Sequence, residues 1–192
     1  MLKRDDLMSL ETYAEQRADF RAKVIAHKKN RQVRLGENAT LYFEDQLTMQ
    51  YQIQEMLRIE KIFDAEGIKE ELDTYNALIP DGSNWKATFM IEFTDEDERR
   101  IALAKMIGIE DKVWMQVAGH EKVYAIADED LERDNAVKTS AVHFMRFELS
   151  PDMAAAAKAG ADIASGIEHE AYNESIPALI AGTRDSLAAD LA

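Results

Sequence analysis

Between Trp85 and Phe93 the chain alternates more strictly than anywhere else. Trp85, Ala87, Phe89, Ile91 and Phe93 fall on one face, and Lys86, Thr88, Met90 and Glu92 on the other. A period of two belongs to a strand with one buried face, and no helix can satisfy it, because helical faces repeat every 3.6 residues. Such a strand needs neighbours in a sheet and a second layer over its apolar side. Candidates for neighbours lie in the runs 32–35 and 40–44, joined by Gly36-Glu37-Asn38-Ala39, in 112–118 and 122–127 around Gly119-His120-Glu121, and in 141–149. Their short connections favour antiparallel pairing.

Helical periodicity fills most of what remains. A long helix is expected to begin between Leu10 and Tyr13 and to run to about Asn30, with Asp5, Asp6 and Ser9 available as caps and Thr12 and Glu15 at capping-box spacing. Tyr13, Phe20, Val24 and His27 form its packing face. A second helix spans 46–63, with Met49, Ile53, Met56 and Phe63 on one side and Gln50, Gln54, Arg58 and Lys61 on the other. Gly67 interrupts before a shorter helix over 68–75. Thr94 can cap a helix over 95–107, and Ser150 with Pro151 opens an alanine-rich one. After Gly160 the chain reads as irregular until a short helix over 185–191. The expected architecture is a single α+β domain over residues 1–192, with a mixed, mainly antiparallel sheet of about five or six strands packed against two long helices and several short ones.

Charge narrows the function classes. The chain carries a net charge of −14, but residues 1–36 hold nine Lys or Arg against five Asp or Glu, so the leading segment is positive and the body strongly negative. A body of that sign repels phosphate backbones, which argues against nucleic-acid binding. The absence of cysteine excludes a thiol nucleophile, a thiolate zinc site and a cysteine-ligated cluster. No apolar run is long enough for a membrane span and no signal peptide is evident, so a cytoplasmic location away from membranes is expected. The sequence nominates no metal-ligand set and no cofactor.

Three groups of side chains carry candidate chemistry. Arg17, Arg21, Lys23, His27, Lys28, Lys29, Arg31 and Arg34 form a basic cluster suited to an acidic protein partner or a small anion. Glu44, Gln50, Gln54, Glu55 and Arg58 could read a small polar ligand, with Arg146 and Tyr172 as further ligand-binding candidates. For acid–base work the candidates are His169, flanked by Glu168 and Glu170, then His143 and Glu55. His143 alternates with Met145 and Phe147, the pattern of a core imidazole. Two long amphipathic helices also leave room for a homodimer.

The strings Lys3-Arg4-Asp5-Asp6-Leu7, Arg21 to Arg31, Leu41-Tyr42-Phe43-Glu44-Asp45, Gln54 to Glu60, Leu78-Ile79-Pro80-Asp81-Gly82, His143 to Glu148 and Gly166-Ile167-Glu168-His169 are similar to those of an uncharacterised bacterial domain-of-unknown-function family. The likeness covers nearly the whole chain. It implies a setting beside rubrerythrin-like peroxidases and iron–sulfur oxidoreductases resembling heterodisulfide reductase subunits, in oxidative-stress or electron-transfer metabolism. It supplies no catalytic residues. Glu170 stands where relatives are expected to carry proline. Two expectations follow: an accessory protein docking an acidic redox partner, or a small-molecule binder or enzyme with a polar pocket built from Gln54, Glu55, Arg58 and His143 or His169.

Overall fold

Capping chemistry sets most of the helix boundaries in the structure, a computed structural model that describes residues 1–131 and 133–192. The elements run α1 (Leu10–Lys28), β1 (Gln32–Leu35), β2 (Ala39–Phe43), α2 (Gln46–Glu60), α3 (Ala65–Asn76), β3 (Asn84–Ile91), α4 (Glu96–Lys105), β4 (Val113–Val117), β5 (Val123–Tyr124), β6 (Ile126–Ala127), β7 (Val142–Glu148), α5 (Pro151–Lys158), β8 (Ile163–His169), β9 (Tyr172–Ile176) and α6 (Ala181–Ala188). They gather into two compact units, each made of two stretches of chain: residues 1–30 with 44–80, and residues 31–43 with 81–192. No helix is long and apolar enough to cross a membrane among the described residues.

The first unit is helical. Ser9 caps α1 by accepting from the Thr12 amide at 3.2 Å, so the helix starts at Leu10. Asp45 caps α2 reciprocally with Thr48, each side chain accepting the other's backbone N–H at 2.9 Å. That helix ends at Lys61, which is left-handed with φ of 56°. It therefore stops short of Phe63, which was expected on the packed face and is instead 76% exposed. Asp64 accepts from the Gly67 amide at 2.9 Å, which places Gly67 inside the first turn of α3 instead of before it. The apolar core is small: Leu2, Met49, Ile53, Leu57, Leu72 and Ile79. Two amides hold the leading segment down in the manner of a missing backbone strand. Gln54 accepts from Met8 N at 2.6 Å and donates to Met8 O at 3.3 Å, and Asn76 does the same for Leu2 at 2.7 and 2.9 Å.

The second unit is built on β-structure, and every strand pairing is antiparallel. The α+β class and the antiparallel pairing are as expected, while the strands divide between a five-stranded sheet, β1-β2-β3-β7-β6, and a four-stranded one, β5-β4-β8-β9. Trp85, Ala87, Phe89 and Ile91 point inward as their alternation requires. The run expected as one strand over 122–127 is split at the buried Ala125. Its first part pairs with β4 and its second with β7, so one stretch of chain passes from sheet to sheet and forms a corner. At another seam Tyr172, on β9, donates its hydroxyl to Leu35 O at 2.7 Å and accepts from Asn38 N at 3.1 Å. The two sheets enclose a core that includes Phe43, Trp85, Phe89, Met115, Phe147 and Ile163.

The expectation that residues beyond Gly160 are irregular is corrected here, since β8 and β9 form a paired hairpin. The small residues Ala164, Ser165 and Gly166 hide its alternation. Gly166 has to be small, because a Cβ there would sit 2.5 Å from the Trp114 ring. Asp95 rather than Thr94 caps α4, accepting from Glu98 N at 2.9 Å. The last helix starts one turn earlier than expected, at Ala181.

One buried cation ties the second unit together. Arg31 is 1% exposed. Its guanidinium donates to Phe43 O at 3.1 Å, to Ser186 Oγ at 3.0 Å and to Asp190 Oδ2 at 2.6 Å. Replacing one partner of a buried pair leaves the other charge uncompensated. Arg31→Ala should therefore lower unfolding stability by about 3–5 kcal/mol, Asp190→Ala by a similar amount, and an Arg31→Met, Asp190→Leu double variant should recover much of the loss. Chemical denaturation of the four proteins checks this.

Candidate functional site

The α1 and α2 helices meet along a polar seam whose centre is Glu55. Tyr13, Arg17, Val24 and His27 lie on one stripe of α1, and Tyr13 and Arg17 both reach Glu55. Arg17 grips the carboxylate with two bonds, at 2.7 and 2.9 Å, Tyr13 donates its hydroxyl at 2.6 Å, and Arg58 adds a contact at 3.2 Å. The Arg17 bond, with those from Tyr13 and Arg58, pulls the Glu55 carboxyl down to about 2. Burial and the Glu55 hydrogen bond push the Tyr13 phenol up. A carboxylate held ionised this firmly makes a poor general base. At the N-cap of α2, Asp45 combines its capping role with a 2.5 Å contact to His27 Nε2, and Glu44, itself buried, accepts the Thr48 hydroxyl at 2.6 Å.

His143 is fully buried on β7. Its Nδ1 lies 2.6 Å from Asp128 Oδ2, and its Nε2 lies 2.9 Å from Thr139 Oγ1 and 3.1 Å from Ser140 O, with Glu110 Oε2 at 3.9 Å. Asp128 sits at φ of 52° and also accepts from Phe144 N and from Arg133, both at 3.0 Å. Burial raises the Glu110 pKa above the ordinary carboxylate value, opposed in part by a backbone hydrogen bond and by His143. Thr139, His143 and Asp128 thus stand in the order hydroxyl, imidazole, carboxylate, yet Thr139 is 1% exposed and no substrate reaches its oxygen in this conformation. The arrangement pins Asp128, Thr139 and Ser140 onto β7.

The remaining sequence candidates are engaged locally. Buried His169 has Nε2 at 3.1 Å from Ile107 O, and its Nδ1 accepts from Ala171 N at 3.1 Å, so both ring nitrogens are occupied by backbone. Arg146 bonds Glu129 at 2.8 and 2.9 Å and also pairs with Glu148. Gln54, expected to read a ligand, spends its amide on Met8. Gln54, Glu55 and Arg58 belong to the first unit, whereas His143, Arg146 and His169 belong to the second. Each of these residues has hydrogen-bond partners within its own unit. Of the basic set, Arg17, His27 and Arg31 are matched to carboxylates of the chain itself. Arg21 and Lys29 are exposed, Lys28 is half-exposed, and none of the three has an ion-pair partner among the described residues.

Sequence reasoning missed a cleft of about 510 Å³ on the outer face of the β1–β2 hairpin, lined by Gln32, Arg34, Thr40, Tyr42, Glu92 and Phe93 among others. Outward alternation places Gln32 and Arg34 on one strand opposite Tyr42 and Thr40 on the next. That register was readable, but the arrival of Glu92 and Phe93 from the end of β3 was not.

Glu55 makes a pH-dependent test of the α1–α2 seam. Because its folded pKa is depressed, its contribution is present above the ordinary value of 4.5 and is lost as pH falls through about 2. Glu55→Gln should cost about 2 kcal/mol at pH 7. The stability gap between variant and wild type should close progressively below pH 4.5, as read by urea denaturation across pH.

No curated protein matches the chain. The crystal structure of a novel protein of unknown function from Burkholderia pseudomallei K96243, at 1.90 Å resolution, is similar to it, with 54% sequence identity and a TM-score of 0.93, covering 100% of this chain and 99% of that one. Residues 1–191 match the family described as "Protein of unknown function (DUF3501)". The chain belongs to that family.

Proposed function

We propose that the protein is an accessory or interaction protein of bacterial oxidative-stress or electron-transfer metabolism, acting in the cytoplasm and docking an acidic redox partner through the outer face of α1. The observation that carries this reading is the division of the leading cations. Arg17, His27 and Arg31 are consumed by Glu55, Asp45 and Asp190, while Arg21, Lys28 and Lys29 are left without ion-pair partners among the described residues. Arg21 lies one turn before Ile25 and the adjacent Lys28 and Lys29 one turn after it, and Ile25 is 46% exposed, so an apolar spot is framed by positive charge. Charge complementarity then selects an acidic protein surface, and the fixed helix provides a rigid docking edge. The redox setting rests on the resemblance of the sequence strings, and a chain without cysteine suits a partner's role more than that of a thiol or cluster catalyst.

Affinity capture from native bacterial extract with the wild-type chain and an Arg21→Gln, Lys28→Gln, Lys29→Gln variant tests the reading. An acidic redox protein should be retained at low salt, and its recovery should fall by roughly tenfold with the variant or in about 0.5 M salt. Recovery of that partner unchanged by the substitutions, or capture of further copies of this chain alone, overturns it.

A further inference from the structure

The hairpin cleft is lined by one cation, Arg34, and two carboxylates, Glu37 and Glu92, and none of the three forms an ion pair among the described residues. Arg34, exposed on β1, makes one contact of 3.3 Å from Nη2 to Glu37 O and no ion pair among the described residues. Glu92, exposed just after β3, has no cationic partner there either. Its carboxylate oxygens lie 3.3 and 3.4 Å from the Tyr42 hydroxyl, which is long for an O–H···O bond. At Arg17, Arg31 and Arg146 the guanidinium closes on a carboxylate at 2.6–2.8 Å. Arg34 and Glu92 form no such pair among the described residues. Asn38 N–H is held by Tyr172, Asn38 Nδ2 donates to Glu92 O at 2.8 Å, and Glu92 N donates to Asn38 O at 2.7 Å. The backbone beneath Glu92 is thereby locked to the β1–β2 turn. Gly36 in that turn admits no side chain, since a Cβ would meet the Tyr172 hydroxyl at 2.5 Å and its φ is +72°.

We propose that this cleft binds an α-amino-acid-type zwitterion, its carboxylate on the Arg34 guanidinium and the Tyr42 hydroxyl, its ammonium on Glu92. A guanidinium supplies a planar fork for a carboxylate, and a carboxylate is acceptor-only and suits an ammonium. Thr40 and Gln32 add neutral donors and acceptors on the floor, and Phe93 gives a wall for an apolar side chain. A volume of about 510 Å³ accommodates a ligand of this size with part of its hydration. The Tyr42 phenol, whose pKa burial and the neighbouring Glu92 raise further, is protonated at neutral pH and can donate. This site is independent of the docking face on α1.

The test uses the full chain, with L-leucine, N-acetyl-L-leucine (no ammonium) and L-leucinamide (no carboxylate) as probes. Binding is followed by titration calorimetry and by ¹H–¹⁵N chemical shifts of residues 32–42 and 92–94. L-leucine should bind, and each truncated probe should bind about tenfold more weakly or less, as expected for loss of one charge-assisted contact. Arg34→Gln should weaken L-leucine and N-acetyl-L-leucine but leave L-leucinamide unchanged, and Glu92→Gln should show the converse pattern. Both side chains are exposed, so the variants should melt with the wild type. Absence of shifts in the cleft at tens of millimolar L-leucine, or affinities indifferent to both substitutions, overturns the proposal.

Discussion

The buried guanidinium of Arg31 is the contact on which the β-rich unit most depends. The chain enters that unit at Arg31 and leaves it at Phe43, and the Arg31 carbonyl accepts from Phe43 N at 2.8 Å while its side chain donates to Phe43 O. The same guanidinium reaches Ser186 and Asp190 at the end of the chain. Trp85, fully buried at the start of β3, donates its indole N–H to Leu187 O at 2.9 Å. The closing helix is therefore fastened at two points by donors from the sheet. A charge so enclosed is tolerable because its planar fork meets acceptors on several sides and a carboxylate on one.

The same logic of internal neutralisation governs the helical unit. Tyr13, Arg17 and Arg58 converge on Glu55, and His27 meets Asp45 at the cap of α2, so the inner face of α1 is electrostatically closed. Its small apolar core is supplemented by amides that hold the leading segment, through Gln54 and Asn76. What remains open is the outer face, with Arg21, Lys28 and Lys29 around Ile25. The functional reading follows from this residue of unmatched charge in an otherwise anionic chain.

Much of the fold was legible. The alternation of 85–93 and the caps at Ser9 and Ser150 correspond to β3, α1 and α5 with boundaries within a few residues, because each depends on neighbours close in sequence. The hairpin of β8 and β9 was not legible, since Gly166 is dictated by the Trp114 ring from a distant strand. Nor was the division of residues 122–127 between two sheets, which arises from the competing ladders of β4 and β7. Among candidate site residues, His143 sits in a buried imidazole network as its alternation suggested, and the partners Asp128, Glu110 and Thr139 came from three other places in the chain.

The sequence by itself determined the fold class, the sign and polarity of the charge, the absence of thiol chemistry and most local elements, because periodicity, capping and composition act over one or two turns. Only the tertiary structure decided which cations stay exposed, which partners enclose His143 and His169 and where a cleft opens between unpaired charges. Ion pairing and burial depend on distances between residues far apart in the chain, as with Arg31 and Asp190, and a linear order does not contain those distances.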